Sequence, residues 1–243
     1  MTPQRHAIRA ARIAYGKCAK RVEAKITANG LSESLSEQVI GIGVAIDWLR
    51  RAFEMEDISF LGDQLNNSEH KTSFVELLRF NFSWFGLNAI FARPSLLNLV
   101  GKPKTNGEFQ EFLVLFNAAP LPNASTQIAT LHALLAKQTA PRLPGRLRGT
   151  SVSTLSAIQT KYLQHATLRG KPAKDIASAA ASGRISALNL ATLLYAFRNW
   201  SVHGASLDGS FGTRPGFVRY VDVLQEVIAE VHCSTASKLE ACI

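Results

Sequence analysis

The spacing of the apolar residues is the feature that most constrains the fold. Along most of the chain they recur at intervals of three and four, the period of an α-helix with one buried face. The stripe nearest the C-terminus comprises Phe217, Val221, Leu224, Ile228 and Val231. Strict alternation of apolar and polar residues, the pattern of a strand, is scarce. Only short apolar segments such as 112–116 fit a strand as well as a helix. The sequence therefore predicts an all-α fold.

Helix starts are predicted from Ser or Thr followed three residues later by Glu, the pattern of a capping box. It occurs at Ser34-x-x-Glu37, Ser73-x-x-Glu76 and Thr105-x-x-Glu108. Arg93-Pro94 is predicted to stop the second of these helices. We also predict a first helix near the N-terminus with a basic outer face. The remaining predicted helices cover 125–138, 152–168, 174–203 with an interruption at 182–183, and 217–232.

Composition excludes several classes of protein. With 47% hydrophobic and 19% charged residues, the 243-residue chain can bury a core, so a disordered chain is excluded. There is no apolar run long enough to span a bilayer and no secretory signal pattern. The three cysteines lack C-x-x-C spacing, which argues against a disulfide framework or a zinc site. We expect a cytoplasmic protein with one helical domain over 1–243 and an internal basic Pro/Gly linker near 139–150.

The positive charge is concentrated in one part of the chain. The net charge is +9, and the window 112–207 alone accounts for it, with ten bases and Asp175 as the single acid. A field of one sign attracts polyanions, of which nucleic acid is the most common in a cell. The candidate phosphate-binding residues are Arg142, Arg146, Arg148, Lys171 and Lys174. The alternative to a nucleic-acid-binding surface is a solvated basic face that binds no partner.

The candidate chemistry lies in the segment 196–204, which reads Ala-Phe-Arg-Asn-Trp-Ser-Val-His-Gly. Arg198, Asn199 and His203 follow an apolar helix, where polar side chains lower stability unless they are paired or used. A five-residue step turns about 140° in a regular helix, so Arg198 and His203 would not share a face unless the helix loosens. The other histidines, His232 among them, are interpreted as surface or half-buried residues. No phosphate-binding loop, H-E-x-x-H helix or G-x-S-x-G elbow is present.

This arrangement resembles the R-x(4–6)-H signature of the HEPN superfamily in its R-N-x-x-x-H-G form, most closely over roughly 184–204. A weaker similarity lies in 82–90, because HEPN proteins often carry a helix with an aromatic residue and Asn-Ala spaced in this way. It makes Trp84 and Asn88 candidates for lining a cleft, with core packing as the alternative for Trp84. Toxin members of one subgroup have Tyr two positions after the His, where this chain has Ala205.

The resemblance implies a HEPN-type helical bundle with additional N-terminal and peripheral helices, which dimerises so that two motifs face each other. Many members are metal-independent ribonucleases in defence or stress response, so RNA, a homodimer mate and an antitoxin or other regulatory protein are the implied partners. No cofactor, metal or membrane is implied.

The residue roles follow from the same resemblance. Arg198 would stabilise the phosphate, His203 would act as general base or acid, and Asn199 would orient His203 or contact the backbone. A non-catalytic nucleic-acid-binding or scaffold protein is the main alternative, and a partner-dependent regulator is another. In either case Arg198 and His203 could simply cap the end of their helix.

Overall fold

A computed structural model describes residues 3–56, 68–122, 126–127, 130, 187–202 and 214–243. The regular secondary structure of these residues is entirely helical, which confirms the predicted all-α class. Seven helices are assigned here: α1 Pro3–Asn29, α2 Glu33–Glu54, α3 Ser68–Phe91, α4 Pro94–Val100, α5 Glu108–Ala118, α6 Ala187–Val202 and α7 Arg214–Cys242. In this part of the chain, no helix is both long and apolar enough to cross a membrane. The predicted helix 152–168, most of 125–138 and the basic linker at 139–150 lie outside the described residues.

Two compact units can be distinguished within the chain. Unit 1 comprises Met1–Asp57, Leu78–Leu121 and Gln225–Ile243. Unit 2 comprises Ile58–Leu77 and Pro122–Leu224. Helix α6, which carries the Arg-Asn pair, belongs to unit 2.

Unit 1 is built around α1, where helical spacing predicts an apolar stripe of Ile8, Ala11, Tyr15, Val22 and Ile26. The first four are fully buried, and Ile26 is half-buried. Cys18 of the same helix is also fully buried. A short connection, with Gly30 at a φ of +79°, leads into α2, which packs against α1. Paired contacts of Gln4 with Glu226 and of Arg21 with Glu240 show that α7 runs parallel to α1.

An aromatic cluster forms a second part of this core. Trp84 of α3 is fully buried, with its ring centroid 4.6 Å from that of Phe112 in α5 and 6.3 Å from that of Phe91. Phe116 extends the cluster at 5.7 Å from Phe112. These rings bury the large aromatic surface that dominates the stability of small helical cores.

The predicted caps are wrong in their positions. The N-cap of α2 is Ser32, not Ser34, because Ser32 has the extended backbone that lets its hydroxyl accept from the Leu35 amide at 3.2 Å. Helix α3 already begins at Ser68, since no helix breaker separates that residue from Ser73. Helix α5 begins at Glu108, after Gly107 turns the chain with a φ of +127°, so Thr105 lies outside it.

Two other boundaries differ from the prediction. Pro94 does stop α3, but it also occupies the first turn of the unpredicted helix α4, where its missing amide hydrogen is not needed. Helix α7 runs ten residues past the predicted end at 232, because Ala236 and Leu239 continue its buried face.

Two glycines of α2 provide a matched test of this packing. A Cβ at Gly41 would press on the Leu96 side chain and lie 2.7 Å from Arg93 Cδ and 3.1 Å from the Ala89 carbonyl oxygen, whereas a Cβ at Gly43 would meet nothing within 4 Å. We expect Gly41→Ala to lower the free energy of unfolding by about 1–3 kcal/mol. Gly43→Ala should raise it by up to about 1 kcal/mol, because alanine is the better helix former. Urea denaturation measures both, and equal effects of the two substitutions would contradict the packing described.

Candidate nucleic-acid site at the end of α6

Helix α6 is anchored by an apolar face that fixes its rotation. Leu190, Leu194 and Phe197 are fully buried, and Ala191 and Leu193 extend the same surface. Because the backbone is held at Phe197, the residue that follows has a defined direction. That residue is Arg198, whose side chain is half-buried in the last part of the helix.

The structure joins Arg198 to Asn199. Nη1 of Arg198 donates a hydrogen bond of 2.6 Å to Oδ1 of Asn199, and Asn199 is only 3% exposed. The hydroxyl of Ser201 donates to the Arg198 carbonyl oxygen at 2.9 Å. Since the carboxamide is uncharged, this bond orients the guanidinium without itself neutralising it. The sequence predicted contacts of Asn199 with His203 or the backbone, and the bond to Arg198 was not foreseen.

The helix continues regularly between the two ends of the motif. Helix α6 includes every residue from Arg198 to Val202, so it does not loosen before the position of His203. His203 and Gly204 lie outside the described residues, as do the five candidate phosphate-binding residues Arg142, Arg146, Arg148, Lys171 and Lys174. Of the predicted catalytic group, the structure therefore brings together Arg198 and Asn199.

The two predicted cleft residues belong to unit 1, whereas Arg198 and Asn199 belong to unit 2. Trp84 is completely enclosed by the aromatic cluster of α3 and α5, which matches the core-packing alternative. Asn88 is half-buried on α3, and its backbone carbonyl accepts from the Ala92 amide at 3.0 Å.

The prediction that His232 is a surface or half-buried residue is wrong, because its side chain is fully buried. Its Nε2 lies 2.8 Å from the Ser83 carbonyl oxygen, and its Nδ1 lies 3.2 Å from the Tyr15 hydroxyl oxygen. A carbonyl can only accept, so Nε2 carries the hydrogen and Nδ1 accepts from Tyr15. Helical spacing could have revealed this position, since His232 lies four residues from both Ile228 and Ala236 on the buried face of α7.

The space for this imidazole is provided by a glycine of α3. A Cβ at Gly86 would lie 3.1 Å from Cε1 of His232. Burial lowers the pKa of His232 to about 4, opposed by the hydrogen bond to the Ser83 carbonyl. Burial also raises the pKa of Tyr15. The pair is therefore uncharged at neutral pH.

The neighbouring thiols are also protonated at neutral pH. Burial, assisted by the charge of Glu240, raises the pKa of Cys18 to about 11, and burial raises that of Cys233. A thiol is a poor nucleophile in that state. Across the described residues, no group of three or more His, Cys, Asp and Glu side chains is arranged to hold a metal ion. The buried cluster around His232 thus has a structural character.

Comparisons with known proteins find no relative of the chain. No protein-family model matches the chain, and no curated protein or solved structure matches it.

The His232 network predicts a stability that depends on pH. Above pH 6.5 the imidazole is neutral in the folded and the unfolded chain. As the pH falls from about 6.5 to about 4, the imidazole takes up a proton in the unfolded chain but not in the folded chain. The free energy of unfolding therefore decreases over this range, and below it the decrease is complete. We expect the wild-type free energy of unfolding to fall about 3 kcal/mol more between pH 7.5 and pH 4 than that of His232→Gln.

A second variant tests the same network at constant pH. Tyr15→Phe removes the donor to Nδ1 and should lower the free energy of unfolding by about 1–3 kcal/mol at pH 7.5, because a buried acceptor loses its partner. Chemical denaturation measures both effects. If the free energy of unfolding depended on pH in the same way for the wild type and His232→Gln, this imidazole would not titrate as described.

Proposed function

We propose that the protein is a metal-independent endoribonuclease of the HEPN type, a toxin or effector in bacterial defence or stress response. In this proposal it acts in the cytoplasm as a homodimer with a composite site and is restrained by an antitoxin or other regulatory protein. The observation that supports it best is the guanidinium of Arg198, held by Asn199 at the end of an anchored helix, with His203 next after the last described helical residue.

The reaction uses the nucleophile that RNA itself carries. A general base takes the proton of the 2′-hydroxyl, the 2′-oxygen forms a bond to phosphorus, and the bond from phosphorus to the 5′-oxygen breaks. A general acid returns a proton to that leaving oxygen, so the products are a 2′,3′-cyclic phosphate and a 5′-hydroxyl. Imidazole has a pKa near 6.5 and can serve in either role, and a dimer supplies one His203 for each.

Arg198 provides the charge that this reaction needs. Negative charge builds on the phosphate oxygens in the transition state, and a donor that is already oriented stabilises that charge without reorganising. The 2.6 Å hydrogen bond that Arg198 donates to Asn199 orients one side of the guanidinium, which has five donor hydrogens in all. Asn199 is therefore a positioning residue for Arg198 in this proposal.

Substitutions in the motif should abolish cleavage. We expect His203→Ala to lower the rate of RNA cleavage by about 10²–10⁴-fold and Arg198→Ala by about 10²–10³-fold. Asn199→Ala should lower it less, and EDTA should not change it. The measurement is the cleavage rate of a labelled single-stranded RNA, with circular dichroism to confirm that each variant is folded.

A matched control is Arg50→Ala, which removes an exposed arginine paired with Asp47 on α2. It should cleave at the wild-type rate. Cleavage of a 2′-deoxy substrate, loss of activity with EDTA, or full activity of His203→Ala would each exclude the mechanism.

The composite site requires two copies of the chain. We expect the mass in solution to be about twice the 26.5 kDa of the monomer. Sedimentation equilibrium measures it. A mass equal to that of one chain at all working concentrations would exclude the composite site.

A non-catalytic nucleic-acid-binding or scaffold protein is the second candidate. The observation in its favour is that Arg198 is half-buried near a helix end and bonded to its neighbour, as a structural arginine would be. In that case His203→Ala would leave every RNA-dependent property unchanged.

A further inference from the structure

Six of the seven basic residues of α1, all except Lys25, fall into two groups with different surroundings. Arg5 bonds the Phe53 carbonyl at 2.6 Å and lies 3.5 Å from Glu56, while Arg12 lies 3.5 Å from Glu54. Arg21 lies 3.5 Å from Glu240 of α7. These three arginines hold α1 to the helices beside it.

Three other bases point outward from the same helix. Arg9, Lys17 and Lys20 are exposed, and no ion pair joins them to any residue that the structure describes. Steps of eight and three residues place them within an arc of about 80°. At a rise of 1.5 Å per residue they span about 16 Å along the helix. The only acid of α1, Glu23, comes after all three in the chain.

Two uncharged residues complete this surface, and neither is explained by packing within the chain. Ile13 is 52% exposed between Arg9 and Lys17. Gly16 lies in the middle of the helix, where glycine costs about 1 kcal/mol relative to alanine. A Cβ at Gly16 would meet nothing within 4 Å, so no neighbour in the protein requires a glycine there. The missing side chain leaves a notch among the three basic residues, and the backbone of another molecule can fit closely there.

We propose that this surface, formed by Arg9, Ile13, Gly16, Lys17 and Lys20 and called the α1 basic face, binds the sugar-phosphate backbone of single-stranded RNA. The identity of the polyanion as RNA rests on the proposed function. Arg9, Lys17 and Lys20 contact phosphates, Ile13 contacts a sugar or base, and Gly16 admits the strand to the helix surface.

The chemistry of the face favours a nucleic acid over a protein partner. Stable protein interfaces have an apolar centre with few charged residues. Here Ile13 is the one large apolar side chain among three cations, a pattern that matches a strand with one negative charge per nucleotide.

The test compares two triple variants of the full chain that lose the same charge. Arg9→Gln/Lys17→Gln/Lys20→Gln removes the face, and Lys102→Gln/Lys104→Gln/Lys238→Gln removes three exposed lysines elsewhere. Both are made with His203→Ala, so that the RNA stays intact, and fluorescence anisotropy of a labelled single-stranded RNA measures binding across a salt series.

We expect the face variant to bind roughly 10–100-fold more weakly at 0.1 M salt. Its slope of log K against log salt should be shallower by about 2, which corresponds to three phosphate contacts on a single strand. The control variant should retain most of the affinity. Equal RNA binding by the two triple variants would overturn the proposal. The same result is expected if the face binds an acidic protein or a second copy of the chain instead of RNA.

A second pair of variants tests the notch without changing charge. Gly16→Leu fills it, and Gly43→Leu places the same side chain at an open position of α2. Both should remain folded, and only Gly16→Leu should weaken RNA binding. Unchanged binding by Gly16→Leu would contradict close approach of the strand.

The outcomes separate this inference from the proposed enzyme. If the parent chain binds RNA through the α1 basic face but never cleaves it, the face stands and the ribonuclease fails. If RNA is cleaved by the motif and the face variant binds it normally, the ribonuclease stands and the face fails.

Discussion

The buried imidazole of His232 is the constraint on which the arrangement of unit 1 depends. It joins α7 to α1 through the Tyr15 hydroxyl and to α3 through the Ser83 carbonyl, in a space left by Gly86. A shift of any of these helices along its axis would break these hydrogen bonds and leave buried polar groups unpaired. The network therefore opposes sliding of the three helices and adds to the effect of their apolar packing.

The register of α1 determines which of its basic residues contact other helices and which are exposed to solvent. With Tyr15 turned toward His232, Arg5 and Arg12 face the end of α2, and Arg21 faces Glu240 of α7. Arg9, Lys17 and Lys20 are then left on the opposite side in solvent. A core contact and a surface charge pattern are thus two consequences of one helix rotation, and the second is the basis of the proposed α1 basic face.

Periodicity predicted the helices because burial of one face repeats with the helix itself. It predicted the buried stripe of α1 and the apolar face of α6 that carries Phe197. The capping-box pattern predicts the wrong N-caps because residue type alone does not fix the helix start. Ser32 has the extended backbone of an N-cap, and α5 starts after Gly107, whose φ is +127°. His232 was missed because a polar residue type was given more weight than its spacing from Ile228 and Ala236.

The candidate site was predicted in part for a related reason. The sequence identified Arg198 and Asn199 from their order and from the apolar helix before them. It could not predict that Asn199 holds Arg198, because that bond depends on the side-chain conformations chosen in the folded helix. The sequence leaves Trp84 compatible with a cleft or a core, and its complete burial against Phe91 and Phe112 distinguishes the two.

The central claim is that Arg198 and His203 promote attack by the 2′-hydroxyl of RNA, and the ends of the cleaved RNA test it most directly. Mass spectrometry of a short RNA after incubation with the purified protein identifies those ends. The account predicts a 2′,3′-cyclic phosphate on one fragment and a 5′-hydroxyl on the other. A 3′-hydroxyl together with a 5′-phosphate would mean that water is the nucleophile, which would contradict the account.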